Sequence, residues 1–232
     1  MELQIPAPAG PVKGYLAQPQ RQGDGPWPGV VVIHDLAGMS ADTRRITDRF
    51  AESGYLAVAP NLYSRGGFTR CVKTVFRDLT AARGRSFEDI DATRTLLADR
   101  DDCTGKVGVV GFCMGGGFAL VAATRDFDAS APYYGELPKD LSILDGACPI
   151  VASFGRRDPI LKGAAAKLES ELTARDIPHD VKEYPDAGHS FANKFPLGPF
   201  NVLLKVVGFH YHHESSEDSW RRVLGFFQDH LR

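Results

Sequence analysis

Cysteine is scarce in this 232-residue chain and none of it is paired in sequence. The four residues Cys71, Cys103, Cys113 and Cys148 form no Cys-x-x-Cys unit. That excludes a cysteine-built zinc cage and a disulfide framework, and leaves free thiols as the expectation. Long apolar runs are also missing. Near the start the longest is Val30 to Ile33, far short of the roughly 20 residues that span a bilayer. The opening Met1-Glu2-Leu3-Gln4-Ile5-Pro6 lacks the basic start and apolar stretch of an export signal, so a cytoplasmic protein with no membrane association is expected. No block of one charge occurs. The 27 Lys and Arg nearly offset 29 Asp and Glu, for a net charge of −2, which excludes the basic footprint of a nucleic-acid binder. No repeat, low-complexity tract or linker divides the chain. Residues 1–232 therefore read as a single domain, long enough to bury a sizeable core. Nothing calls for an oligomer, and a monomer is expected.

What is present is an alternation of short β-branched runs and helical stretches. This is the signature of an α/β fold: a mostly parallel, doubly wound sheet with helices on both faces. Strands are expected over 29–33, 55–59, 106–110, 130–134, 149–154 and 179–184. Helices are expected from a cap at Ser40 or Asp42 to Glu52, then over 69–80, 87–98, 115–123, 163–173 and 214–231. Residues 61–67 read as a loop. The stretch from Ala192 to His213 is long and irregular, as functional loops often are.

The most informative segment is Val107-Gly108-Val109-Val110-Gly111-Phe112-Cys113-Met114-Gly115. A buried strand runs into Gly-x-Cys-x-Gly and then a helix, the pattern of a nucleophile elbow with Cys in place of Ser. Small flanking residues are needed because the nucleophile sits on a sharp turn. A dinucleotide-binding reading fails, because Cys113 occupies the second glycine position of Gly-x-Gly-x-x-Gly. The elbow places the side chain above a helix N-terminus, where negative charge is favoured. The Met114 N–H is one expected oxyanion donor, and Leu36, in the loop after the first buried strand, is the second.

An elbow nucleophile needs an acid and then a base downstream. Asp158, in Gly155-Arg156-Arg157-Asp158-Pro159, follows one strand. His189, in Asp186-Ala187-Gly188-His189-Ser190, follows the next. Each alone is an ordinary turn residue; the three in order assemble a Cys-His-Asp triad. His189 would accept the thiol proton and Asp158 would hold its tautomer.

These residues resemble the dienelactone hydrolase family of α/β-hydrolases. The resemblance runs from Pro28-Gly29-Val30-Val31-Val32-Ile33-His34 through Gly54-Tyr55-Leu56-Ala57-Val58-Ala59-Pro60-Asn61-Leu62-Tyr63 and the Cys113 elbow. It continues through Tyr133-Tyr134-Gly135, Asp158 and Ala187-Gly188-His189-Ser190-Phe191-Ala192. It implies a cofactor-free hydrolase acting on a small-molecule lactone or ester. In such enzymes a Glu after the first buried strand contacts the resting thiol; Asp35 matches it and is one methylene shorter. Members that process dienelactone hold its carboxylate with an Arg four residues after the catalytic His. Here that position is Asn193, followed by Lys194, which argues against dienelactone itself because an amide replaces a bidentate guanidinium poorly. Arg65, Arg70, Arg83 and Arg85 are candidates to compensate.

Asp35, Tyr134 and Asn193 are thus the candidate substrate-binding residues, with packing the alternative for Tyr133 and Tyr134. Phe195, Phe200, Phe209 and Tyr211 either wall the pocket or pack the long loop. His210, His212 and His213 read as a loop or helix cap and not as a metal site, since adjacent histidines point in different directions. A thioesterase or general carboxylesterase differs only in pocket shape. A catalytically lapsed fold used in binding or thiol redox sensing is the alternative from another class.

Overall fold

A computed structural model describes residues 1–20, 25–194 and 209–232. Eight strands form one sheet in the order β1-β2-β4-β3-β5-β6-β7-β8. They are β1 (Glu2–Ile5), β2 (Val12–Ala17), β3 (Trp27–Ile33), β4 (Leu56–Pro60), β5 (Cys103–Phe112), β6 (Ala129–Tyr133), β7 (Ile150–Gly155) and β8 (His179–Tyr184). From β4 to β8 all neighbours run parallel, while β1 and β2 are antiparallel additions at one edge. Six helices are described: α1 (Ala41–Glu52), α2 (Phe68–Ala81), α3 (Arg85–Ala98), α4 (Met114–Ala122), α5 (Ala164–Thr173) and α6 (His213–Leu231). None of the described helices is long and apolar enough to cross a membrane.

The continuous apolar runs of the central strands follow from burial on both faces. Alternate residues point opposite ways, so Val30 and Val32 of β3 join one core with Ile46 and Phe50 of α1 and Val223 and Phe227 of α6. Val31 and Ile33 join the other with Val75 of α2, Phe87 and Ile90 of α3, and Phe118 of α4. A parallel sheet covered on both sides has its strand ends open at the carboxyl edge, where ligands bind in open α/β sheets. The loops after β3, β5, β7 and β8 therefore carry the site.

Several expectations change. The β1–β2 hairpin is absent from the sequence reading, because its short strands carry charge and a glycine and lack a β-branched run. A short 3-10 turn at Leu141–Leu144 was likewise unforeseen. Strand β5 begins three residues earlier than expected and runs on to Phe112, directly into Cys113. Ser40, not Asp42, caps α1, its side chain accepting the Thr43 N–H; Asp42 turns elsewhere. Of the 192–213 loop, residues 195–208 lie outside the described residues, and with them the expectations for Phe195 and Phe200.

Candidate active site

Cys113 sits between β5 and α4 with φ 55° and ψ −117°. Positive φ is costly for a residue with a Cβ, and such strain concentrates at functional positions. The turn is held because the Cys113 N–H donates to the Tyr133 carbonyl at 3.1 Å and its own carbonyl accepts the Gly116 N–H at 2.9 Å. Two glycines make it possible. A Cβ on Gly111 would lie 1.9 Å from the Gly115 carbonyl oxygen, and one on Gly115 would lie 2.4 Å from that of Ile33. Gly111→Ala is therefore expected to prevent the elbow from forming, giving little folded protein by circular dichroism. A variant that melts like the wild type would show that the elbow can open without loss.

The sequence-predicted partners converge on this cysteine. His189 is 4% exposed and Asp158 1%, whereas Cys113 is only half-buried. His189 Nδ1 lies 2.6 Å from Asp158 Oδ2. The other carboxylate oxygen accepts the Ile160 and Leu161 N–H groups at 2.8 and 3.3 Å, fixing its plane. The imidazole also interacts with the Cys113 side chain. Burial works against a charged His189, but its pairing with Asp158 and its interaction with Cys113 outweigh it, lifting its pKa to about 9. The ring is flanked by Tyr134 at 5.3 Å and Phe209 at 4.9 Å between centroids. Of the two loop aromatics among the described residues, Phe209 thus reaches the site. Tyr211 lies over the Lys194 ammonium instead, 4.7 Å from it.

The second residue after β3 behaves unusually. Asp35 is buried; Oδ1 accepts the Ala37 N–H at 2.8 Å, while Oδ2 has no hydrogen-bond partner among the described residues. Burial raises its pKa to about 6, assisted by the Asp42 charge and opposed by the Ala37 N–H and His189. The fold therefore disfavours its charged form: the penalty is absent below the ordinary value of 3.8 and complete above about 6. Asp35→Asn, which keeps the acceptor for Ala37, is expected to raise the melting temperature by roughly 2–6 °C at pH 7.5. The gain should shrink towards pH 4, and equal melting at both pH values would contradict the buried charge.

Asn193 and Tyr134 meet each other. Asn193 is buried; its Oδ1 accepts the Tyr134 hydroxyl at 2.6 Å and its Nδ2 donates to Asp42 Oδ2 at 3.0 Å. That oxygen of Asp42 also accepts the Lys194 N–H at 3.0 Å, while Arg45 holds Oδ1 at 2.7 Å. Asp42 thus ties the first turn of α1 to the loop carrying His189, a role hidden in sequence by its resemblance to a helix cap. Both polar atoms of the Asn193 amide are therefore engaged inside the protein. Among the candidate arginines, Arg65 is committed to Asp89 at 2.6 and 2.7 Å, and Arg70 and Arg83 are exposed. The histidine cluster takes the cap role: His212 Nδ1 accepts the Ser215 N–H at the start of α6.

Tyr63 was not singled out from sequence. Buried in the loop after β4, its hydroxyl donates to Met114 Sδ at 3.6 Å. Burial, then the nearby charges of Asp35 and Cys113, push its pKa up to about 12, so it stays protonated. Only the fold places it beside the elbow.

The sequence profile of the dienelactone hydrolase family matches residues 12–231. The chain belongs to that family. A protein provisionally named carboxymethylenebutenolidase from Yersinia pestis is 28% identical, covering 99% of this chain and 88% of its own. Its provisionally named counterpart from Escherichia coli K12 is also 28% identical, covering 97% and 84%. Among solved structures, the provisionally named dienelactone hydrolase of Klebsiella pneumoniae superposes with a TM-score of 0.79 at 26% identity, covering 98% of this chain and 97% of that one. A dienelactone-hydrolase-like phosphotriesterase from metagenomic libraries gives 0.81 at 20% identity, covering 100% and 98%, which speaks for the fold alone. This family member is accordingly an α/β-hydrolase of the dienelactone hydrolase type.

Proposed function

We propose that this family member cleaves a lactone or small carboxylic ester through a covalent Cys113 acyl-enzyme. The observation that carries the reading is the strained Cys113 elbow beside a His189 that Asp158 orients at 2.6 Å. In the forward half, sulfur attacks the carbonyl carbon with the thiol proton held on His189, in keeping with that ring's raised pKa. The resulting oxyanion is held by the Met114 N–H, at the N-terminus of α4, and by the Leu36 N–H. Collapse breaks the carbon–oxygen bond, and His189 gives its proton to the leaving alkoxide. With a lactone, that alkoxide stays tethered as the hydroxyl end of the acyl group. In the second half His189 takes a proton from water, hydroxide attacks the thioester, and the sulfur leaves as thiolate to recover the proton.

The relatives' name points to a butenolide, an unsaturated lactone bearing a carboxyl-substituted arm, and this chain departs from it there. The Asp42-bound Asn193 and the buried, half-unpartnered Asp35 favour a substrate without a carboxylate at that end of the site, because Asp35 repels one and Asn193 does not receive one. A thioester or a general carboxylic ester is the alternative acyl donor for the same chemistry. Intact mass measured in the first seconds with p-nitrophenyl acetate tests the reading. The expected result is one acetyl group on Cys113 with continuing release of nitrophenol. Neither adduct nor turnover in the folded protein would instead point to a lapsed, thiol-sensing protein.

A further inference from the structure

We propose that His34 is a positioning residue of the oxyanion hole, locking the Asp35–Leu36 peptide so that the Leu36 N–H faces the reacting carbonyl. The proposal rests on the reading of Leu36 as an oxyanion donor. His34 ends up 1% exposed just beyond β3, yet neither ring nitrogen is spent on a core side chain. Nδ1 lies 2.7 Å from the Asp35 carbonyl oxygen, and Nε2 lies 3.1 Å from the Leu62 nitrogen. A backbone N–H can only donate, so Nε2 bears the lone pair and Nδ1 bears the hydrogen. Burial lowers the pKa of His34 to about 4, which keeps this one tautomer across the neutral range.

The consequence lies in peptide geometry. The C=O of Asp35 and the N–H of Leu36 belong to one planar trans unit and point in opposite directions. The Asp35 oxygen is held by two donors, His34 Nδ1 and the Gly38 N–H at 3.1 Å. Fixing the oxygen on that side turns the Leu36 N–H to the other, where no acceptor among the described residues meets it. The same turn lies against the elbow, since a Cβ on Gly115 would fall 2.6 Å from the His34 carbonyl oxygen. It is braced from outside by Tyr63, whose ring is 4.9 Å from that of His34. A Cβ on Gly38 would come 2.9 Å from the Tyr63 ring. One neutral histidine thereby joins the loop after β3 to the loop after β4 and aims a donor between them.

Two reactions of Cys113 separate this role from ordinary packing. Acylation by p-nitrophenyl acetate develops an oxyanion; alkylation by iodoacetamide displaces iodide at a saturated carbon and develops none. His34→Asn keeps an amide donor near the Nδ1 position, while His34→Gln moves the amide out to the Leu62 N–H and leaves the Asp35 carbonyl without its donor. In His34→Gln the acylation rate constant is expected to fall about 10- to 100-fold, with alkylation within about 2-fold of wild type. His34→Asn should retain most of the acylation rate. Unchanged acylation, an equal fall in both reactions, an Asn variant no better than Gln, or loss of folded protein in both variants would each overturn the proposal. A wild-type protein that is alkylated but never acylated would instead defeat the parent reading of ester hydrolysis, so the two failures are told apart.

Discussion

Cys113→Ala is expected to lower turnover of p-nitrophenyl acetate by at least about 10³-fold, because the acyl-enzyme route disappears and only binding and the oxyanion donors remain. The fold should survive, since Cys113 is only half-buried at the margin of the core and alanine removes a single sulfur atom there. Cys113→Gly sharpens the point. At φ 55° the backbone is unfavourable for any side chain with a Cβ, so glycine should be equally inactive yet more stable by about 1–2 kcal/mol. Activity assays and urea unfolding on the same preparations decide it. A Gly variant that is less stable would mean the elbow stores no strain, and an active Ala variant would remove Cys113 from the chemistry.

Asp158→Asn should be nearly as damaging, by about 10²- to 10⁴-fold in kcat. An amide can still accept the Ile160 N–H, but towards His189 it presents N–H₂. Nδ1 then becomes the acceptor and Nε2 carries the hydrogen facing the thiol, where it cannot take a proton. The pH dependence has a definite sign. His189 holds its proton more tightly when folded, at about 9 against an ordinary 6.5. The stability this supplies is complete below about pH 6.5 and is lost as pH rises through about 9. The gap in unfolding free energy between wild type and Asp158→Asn should therefore narrow from pH 6.5 to 9.5. The alkaline limb of the wild-type rate profile, where the imidazolium can no longer protonate the leaving group, should move to lower pH in the variant. A gap that widens with pH would show that Asp158 does not stabilise the charged ring.

The parallel core was legible because each central strand is buried on both faces and so writes itself as an unbroken apolar run. The edge hairpin was not, because β1 and β2 bury only part of their surface and carry Glu2, Lys13 and Gly14. Among site residues, Cys113 announced itself through Gly111 and Gly115, whose missing side chains are required by backbone contacts of 1.9 and 2.4 Å. Asp42 misled for the opposite reason: an acidic residue at the start of a helix has a local explanation, and its partner Asn193 lies 151 residues away.

By itself the sequence determined the fold class, the strand–turn–helix elbow and the position of Cys113, Asp158 and His189 at successive strand ends, because periodicity, turn chemistry and strand-end position are local properties. Only the tertiary structure decided which polar groups face one another. It paired Asn193 with Tyr134 and Asp42, left one oxygen of Asp35 without a partner among the described residues, and set Tyr63 and His34 against the loop beside Cys113. Those pairings join loops far apart in the chain, and their energetics depend on burial. Residue spacing carries no record of how deeply a side chain will be shielded from water.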